Sequence, residues 1–273
     1  MAIAMLCIPV VDGLAKYLSA GYSPLFIGWA RYAVACLIVL PIAALMHGTR
    51  LFPTERLGSH VLRTFFLVTS MTLYFLSIPH IPLATATSAY FIGPIAAALL
   101  AVLILKEQMT WQKVVSLVLG FAGALVILQP GAPMQPALLL AFAAGILFAF
   151  YMITTRQAAT QSDPVKTLAF QCAVGVALLT PQAVTSWAIP AWNDLLFFLG
   201  LGLFSAVAHL LSIAAFRMTE ASTLAPLVYL ELVGVAVFGY LVFDEVPGVA
   251  TVLGAALIMA AGLMLVGRSS PAR

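Results

Sequence analysis

Long apolar runs separated by short polar connections cover almost all of the 273-residue chain. A membrane-spanning helix needs about 20 predominantly apolar residues. Because the connections are short, consecutive helices should be neighbours in space. Ten runs satisfy the length criterion, and each is predicted to be a spanning helix: 2–20, 24–46, 59–79, 82–104, 111–129, 136–156, 165–187, 194–215, 222–243 and 248–267.

Composition agrees with this pattern, since 63% of the residues are hydrophobic and only 8% are charged. A soluble domain has about 25% charged residues. The fold class is therefore predicted to be all-α integral membrane, and a net charge of +3 gives no indication of nucleic-acid binding. Cys7, Cys36 and Cys172 lie in apolar runs and predict no disulfide framework. No cleavable signal peptide is predicted, and the lack of a polar leader leaves open whether native residues precede Met1.

The positions of lysine and arginine predict the orientation, because cytoplasmic loops carry the positive excess. The connections after helices 2, 4, 6 and 8, with the adjoining helix ends and the C-terminal tail, hold ten basic residues, whereas the other connections hold none. Both termini are therefore predicted to face the cytoplasm, in a multi-pass protein of the cell (inner) membrane. The ten residues are Arg50, Arg56, Arg63, Lys106, Lys113, Arg156, Lys166, Arg217, Arg268 and Arg273.

The two halves of the chain align with each other. Residues 81–130 align with 219–268, which places Glu107 on Glu245 and Phe91 on Tyr229. Five spans per half is an odd number, so the sequence predicts two inverted five-helix repeats, 1–130 and 131–273. Repeats of this kind hold a transport site at their interface. Further matched pairs are Thr85 with Thr223, Ser116 with Gly254, Pro24 with Pro164, Pro41 with Pro181, Arg31 with Gln171, and Lys16 with Arg156.

Short motifs also occur in a characteristic order along the ten predicted helices. They are Lys16, Trp29-Ala30-Arg31-Tyr32, Ile81-Pro82-Leu83-Ala84, Gly93-Pro94, Lys106-Glu107 and Asp244-Glu245-Val246-Pro247. In this order they resemble the ten-helix, EamA-type members of the drug/metabolite transporter superfamily, over essentially the whole chain. The resemblance implies a carrier for amino acids, nucleosides, vitamins, sugars or other metabolites, and many such carriers are exporters. The chain departs from the family at Leu232, where many members have proline, and carries Pro226 instead.

Two prolines inside predicted spans are the first candidates for a site. Pro94 in helix 4 and Pro226 in helix 9 remove backbone hydrogen bonds and clash with the preceding turn. In lipid the freed carbonyls must face protein or a wet cavity. Simple packing kinks are the alternative, but the two prolines lie in corresponding helices of the repeats, which favours a cavity.

Charged side chains inside predicted spans are the second group. Glu231 lies near the middle of helix 9, where an ionised group is costly, so it is predicted to bind substrate rather than make only a structural hydrogen bond. His209 in helix 8 could pair with it. Asp12 and Lys16 share one face of helix 1, and Lys16 is expected to extend to the outer interface. Arg31 is predicted either to pair with Asp12 or to recognise an anion.

Aromatic side chains complete the prediction, because rings suit amphiphilic metabolites and a tyrosine hydroxyl adds a polar group. Packed core is the alternative for each ring, with Tyr90 the best candidate because Pro94 follows it by four residues. The turn residues Glu107 and Glu245 are expected to stabilise the N-termini of helices 5 and 10. The predicted substrate-binding residues are Trp29, Arg31, Tyr74, Tyr90, Phe91, Pro94, His209, Tyr229 and Glu231.

These residues distinguish three classes of function. An intramembrane enzyme would need a nucleophile–base or metal constellation, and a channel a polar stripe or charge ring; neither pattern is present in the sequence. A secondary transporter of a small molecule by alternating access is therefore predicted, with no cofactor, no metal and no nucleic-acid partner. The main expectation is export of amino acids or related metabolites, and the alternative is uptake of a cofactor-like solute such as riboflavin or S-adenosylmethionine. Gly120, Gly123, Gly254 and Gly262 permit close helix contacts within a monomer or across a homodimer.

Overall fold

The computed structural model describes residues 1–53, 57–106, 108–129, 135–158, 163–218, 227 and 230–266. These residues form helices joined by short connections, and they contain no strand. The helices are α1 Ala2–Leu18, α2 Pro24–His47, α3 Leu57–Ser77, α4 Leu83–Tyr90, α5 Ile92–Leu105, α6 Trp111–Leu128, α7 Pro136–Ala158, α8 Pro164–Thr185, α9 Trp192–Met218, α10 Leu230–Phe243 and α11 Val249–Val266.

The predicted all-α membrane fold is confirmed. Six segments are long and apolar enough to cross a bilayer, and α10 and α11 are shorter apolar helices. The bounds agree with the predicted spans to within a few residues, apart from the ninth, of which the first part lies outside the described residues. The six segments are Pro24–His47, Leu83–Ile104, Trp111–Leu128, Pro136–Thr155, Pro164–Thr185 and Trp192–Ala215.

The fourth predicted span is broken into α4 and α5, which meet at Phe91. Pro94 lacks a backbone N–H, and its ring clashes with the carbonyl of the fourth residue before it, Tyr90. The freed Tyr90 carbonyl lies against Gly145 of α7, where an added Cβ would come within 2.5 Å of the oxygen. A Cβ added to Gly93 would likewise lie 2.8 Å from the Gly145 carbonyl oxygen. The break therefore faces protein, at a backbone crossing that only glycine permits.

Two helices begin with the same local device, in positions that the repeat relates. Ser23 precedes Pro24 in α2 and accepts a hydrogen bond from the Leu25 N–H at 3.3 Å. Asp163 precedes Pro164 in α8 and accepts from the Val165 N–H at 2.9 Å. A side-chain acceptor followed by proline at the first helical position is a strong helix start, which explains why both boundaries were predicted closely.

The most extensive helix contacts join the two predicted halves: α3 packs on α7, α1 on α9, α2 on α8, and α6 on α11. A two-fold axis between the halves would superimpose the α3–α7 pair on the α9–α1 pair, and would superimpose the α2–α8 and α6–α11 pairs each on itself. The packing therefore agrees with the predicted repeat. The α6–α11 contact is close, because an added Cβ on Gly123 would lie 2.8 Å from the Gly254 carbonyl oxygen. This glycine contact lies within the chain, one of the two possibilities that the sequence left open.

Candidate functional site

A group of buried polar side chains lies where α1, α3, α4 and α10 meet. We call Asp12, Tyr74, Thr87, Tyr90 and Glu231 the central polar cluster. The Tyr74 hydroxyl donates to Asp12 Oδ2 at 3.1 Å and lies 2.7 Å from the Thr87 hydroxyl. Since the Tyr74 proton is used by Asp12, Thr87 is the donor in the second bond. Tyr74 is thereby held in one orientation, with its hydroxyl directed toward α1.

The cluster contains two carboxylates that share one environment. Asp12 is 4% exposed and Glu231 is 7% exposed. Glu231 interacts electrostatically with Asp12 and with Arg31. Within the described part of the chain, no hydrogen bond to the Glu231 carboxylate is found. Two buried carboxyl groups near one arginine form a region that a bound cation or a proton can neutralise, because burying an uncompensated charge is costly.

A row of aromatic rings leads away from the cluster. Tyr74 and Tyr90 have ring centroids 5.4 Å apart, and Tyr90 and Phe148 are 5.0 Å apart. Phe148 in turn stacks on Tyr151 at 5.4 Å. We call Tyr74, Tyr90, Phe148 and Tyr151 the aromatic row. Two of the predicted substrate-binding residues, Tyr74 and Tyr90, lie side by side in this row, and Phe148 connects them to α7.

Arg31 is anchored to α9 rather than to Asp12. Its Nε donates to Ser205 Oγ at 2.7 Å, and its Nη2 lies 2.9 Å from His209 Nε2. The guanidinium also lies 5.5 Å from the Phe75 ring centroid. Since arginine can only donate, His209 Nε2 must accept, and the His209 ring is neutral with its proton on Nδ1. A direct Arg31–Asp12 ion pair and a His209–Glu231 pair were expected as possibilities; neither is formed among the described residues.

The remaining predicted site residues lie elsewhere or act indirectly. Trp29 donates to Thr180 Oγ1 at 3.1 Å and packs on Phe26, in an aromatic group apart from the cluster. Phe91 is 2% exposed and belongs to the hydrophobic core. Pro94 influences the site through the break that it makes after Tyr90. Tyr229, Pro226 and Glu107 lie outside the described residues.

An ion pair joins the ends of α1 and α10 at the predicted outer face. Lys16 pairs with Glu245 and also donates to the Ile81 carbonyl at 2.8 Å. Glu245 Oε2 accepts from the Leu83 N–H at 2.9 Å. Two predictions are thus wrong: Lys16 is paired rather than extended to the interface, and Glu245 binds the N-terminus of α4 rather than that of α11. The reason is the left-handed turn at Asp244, with φ of 55°, which directs Glu245 back toward α4.

Sequence reasoning missed Arg63, which it assigned to the basic residues of a loop and helix end. Arg63 is 4% exposed inside α3, where its Nη2 donates to Gln171 Oε1 of α8 at 3.2 Å. The alignment of Arg31 with Gln171 between the two halves was a signal from which the polar contact of Arg63 could have been found. In the structure each of these two residues contacts a side chain from the opposite half, Arg31 with His209 and Gln171 with Arg63.

Comparison with known proteins supplies a family. The EamA-like transporter family matches residues 1–129 and again residues 135–267. The chain is 29% identical to the S-adenosylmethionine uptake transporter of Rickettsia bellii, over 93% of this chain and 88% of that protein. It is 27% identical to the riboflavin transporter of Brucella anthropi, over 92% of this chain and 90% of that protein. A crystal structure with 20% identity superimposes with a TM-score of 0.67, covering 96% of this chain and 94% of the other.

Proposed function

Because the chain belongs to the EamA-like transporter family, we propose that it takes up a cationic, cofactor-like solute of the S-adenosylmethionine type across the cell membrane. The solute occupies the central polar cluster and the aromatic row. The protein is a multi-pass membrane protein that transports a small metabolite, and the proposal concerns which metabolite and in which direction.

The observation that carries the proposal is the pair of buried carboxylates beside a row of aromatic rings. S-adenosylmethionine has a sulfonium and an amine that suit Asp12 and Glu231, and a purine that can stack on the aromatic row. The two carboxylates lie within electrostatic reach of each other, so a bound cation relieves the repulsion between them. The Rickettsia relative, which is named as an uptake transporter of this compound, supports the same choice.

Riboflavin is the second candidate, because its ring system also suits the aromatic row and the Brucella relative is named as its transporter. Riboflavin is uncharged, however, and gives the two carboxylates no cation to bind. Export of amino acids, the main expectation from the sequence, has less support, since the relatives compared above carry the names of the two alternative solutes.

The proposed mechanism is alternating access between two inverted five-helix repeats, residues 1–130 and 131–273, with both termini in the cytoplasm. The exchange of helix partners between the halves supports it, as do the two separate family matches. In this scheme the Lys16–Glu245 pair holds the outer end closed.

Uptake into proteoliposomes tests the proposal directly. Labelled S-adenosylmethionine, riboflavin and a mixture of amino acids are offered to vesicles with the purified protein and to protein-free vesicles. We expect saturable uptake of S-adenosylmethionine that excess unlabelled riboflavin does not inhibit. Riboflavin uptake without S-adenosylmethionine uptake would favour the second candidate, and movement of amino acids alone would restore the expectation from the sequence.

A further inference from the structure

A cavity of about 450 Å³ lies at the predicted outer end of the bundle, beside the Lys16–Glu245 pair. It shares no residue with the central polar cluster or the aromatic row. Its volume falls within the range of about 300–1,000 Å³ that is usual for small-molecule sites. We call it the outer cavity; its lining includes Lys16, Ala20, Tyr22, Asp194 and Phe243.

Charges of both signs line the outer cavity. Lys16 contributes an ammonium and Asp194 a carboxylate. Asp194 Oδ2 accepts from the Tyr22 hydroxyl at 2.7 Å, and no other hydrogen bond to this carboxylate is found within the described part of the chain. The last turn of α1 also ends at the cavity, and the C-terminus of a helix carries a partial negative charge. Such a lining suits a zwitterion, which has one group for each sign of charge.

Aromatic rings stand beside these charges. The Phe243 ring centroid lies 5.6 Å from Lys16 Nζ. The Tyr22 ring packs edge-on against Phe198, with the centroids 5.1 Å apart, and this contact fixes its orientation at the cavity. Rings of this kind provide contact area for a flat base such as a purine. The outer cavity therefore offers the classes of group that a nucleoside-containing amino acid requires.

Lys16 can bind a further acceptor. An ammonium has three N–H donors, and Lys16 uses two of them among the described residues, for Glu245 and for the Ile81 carbonyl. Its side chain is 12% exposed, so a carboxylate in the cavity can reach it.

Glu245 also keeps a partner when it leaves Lys16. Its Oε2 accepts from the Leu83 N–H at 2.9 Å, through an oxygen that does not contact Lys16. The N-terminus of α4 also favours a negative charge at this place. One carboxylate can therefore replace another at Lys16 with neither Lys16 nor Glu245 left without a partner.

We propose that the outer cavity is a first binding site for the solute, in which the carboxylate of the solute takes the place of Glu245 at Lys16. The inference rests on the proposed function, since it assigns the first contact of the same solute. The positive charge of the solute lies toward Asp194, and its ring system lies against Phe243 and Tyr22. Because the Lys16–Glu245 pair holds the outer end closed, the exchange of carboxylates opens the path to the central polar cluster when a solute is present.

Protection of a cysteine in the outer cavity measures its occupancy. Ala20→Cys, in a protein whose three native cysteines are replaced, places a thiol at an exposed lining position. Its labelling by a polar thiol reagent in detergent is titrated with S-adenosylmethionine and its decarboxylated form, and with tyrosine and tyramine. We expect at least one carboxylated compound to protect the thiol at a concentration about tenfold or more below that of its partner, because charge-assisted hydrogen bonds are the strong ones.

Two substitutions in this protein should act in opposite directions. Lys16→Gln removes the charge that binds the carboxylate and should reduce the preference to about twofold or less. Glu245→Gln removes the competing charge, so the carboxylated compound should protect at a concentration about threefold or more lower, while the decarboxylated form changes by about twofold or less. The second variant tests the exchange by itself if Lys16→Gln does not yield a folded protein.

Three other variants locate the site. Glu231→Gln weakens the central polar cluster, yet the protecting concentrations should stay within about threefold of the Ala20→Cys protein, because Glu231 does not line the outer cavity. Asp194→Asn should weaken protection by both members of a pair at least about threefold and keep the preference between them. Asp244→Asn makes the same chemical change at an exposed aspartate outside the lining and should leave all protecting concentrations unchanged.

Each result supports or refutes the assignment. If no carboxylated compound protects Ala20→Cys better than its partner, the outer cavity is not a carboxylate site. Protection that Glu231→Gln weakens more than about threefold would place the binding in the central polar cluster and overturn the proposal. Unchanged or weaker protection in Glu245→Gln would overturn the exchange at Lys16. A preference seen only with tyrosine over tyramine would keep the outer cavity as a carboxylate site and refute the S-adenosylmethionine assignment.

Discussion

Glu231 and Asp12 are the side chains on which transport should depend most strongly. Glu231→Gln keeps the shape of the side chain and removes its charge, and the cluster then holds one carboxylate beside Arg31. We expect a folded protein with uptake reduced about tenfold or more, since interactions with charged groups contribute about 1.5–3 kcal/mol. Initial uptake rates at several pH values in proteoliposomes measure the effect.

Asp244→Asn is the matched control for this variant. Asp244 is exposed and has φ of 55°, a conformation that asparagine tolerates. Its uptake should equal that of the wild type. If Glu231→Gln took up the solute at the wild-type rate across the pH range, Glu231 would have a structural role. Solute recognition would then be left to the aromatic row and Arg31.

The site residues were only partly predictable, because their partners come from distant parts of the chain. Glu231 was found from the cost of a charge inside an apolar run, a signal that one segment carries by itself. Arg63 was missed because a lysine or arginine near a helix end is ordinarily a loop charge. The partner of Lys16 lies 229 residues away, and no local pattern indicates such a contact.

The break between α4 and α5 depends on the close crossing of these two helices with α7. Gly145→Ala would place a Cβ within 2.5 Å of the Tyr90 carbonyl oxygen and 2.9 Å of Ile92. Both belong to the break and can yield only if the helices move apart. We expect a loss of about 1–3 kcal/mol, the usual cost of overpacking, seen as a lower Tm in detergent together with reduced uptake.

Gly58→Ala provides the comparison, because it also changes a helical glycine but meets nothing within 4 Å. Its Tm should equal or exceed that of the wild type, since alanine is the better helix former. Equal Tm values for the two variants would show that the α4–α7 crossing is looser than described.

At the scale of helices, apolar run length and helix-start residues were enough to predict most elements. The exception was the fourth span, where the break lies three residues before the proline that causes it. The position follows from the clash of the Pro94 ring with the Tyr90 carbonyl, but the accommodation of that carbonyl at Gly145 depends on packing between helices that are far apart in sequence.

At the scale of the whole molecule, the Lys16–Glu245 pair should control access from the predicted outer side. Lys16→Gln and Glu245→Gln each remove a partly buried ion pair, worth about 1 kcal/mol or roughly fivefold in population. We expect both to increase the rate at which an impermeant thiol reagent added outside labels Tyr90→Cys. The measurement requires replacement of the native cysteines Cys7, Cys36 and Cys172.

The reversed pair tests whether the contact itself matters. Combining Lys16→Glu with Glu245→Lys should return the labelling rate toward that of the Tyr90→Cys protein without gate substitutions. Asp244→Asn should leave that rate unchanged. Labelling rates that do not respond to either single substitution would remove the outer ion pair from the gating scheme.

The bond between Arg31 and His209 has a consequence for the energy that drives transport. A histidine that accepts from a guanidinium cannot take up a proton without placing two cations in contact, so this pair keeps one positive charge while the bond lasts. The charge that moves through the membrane potential during a transport cycle is then that of the solute and of the two carboxylates. An interior-negative membrane potential of about 100 mV is worth about 2.3 kcal/mol per elementary charge. For a solute that enters with one net positive charge, this corresponds to roughly fiftyfold accumulation with no second ion.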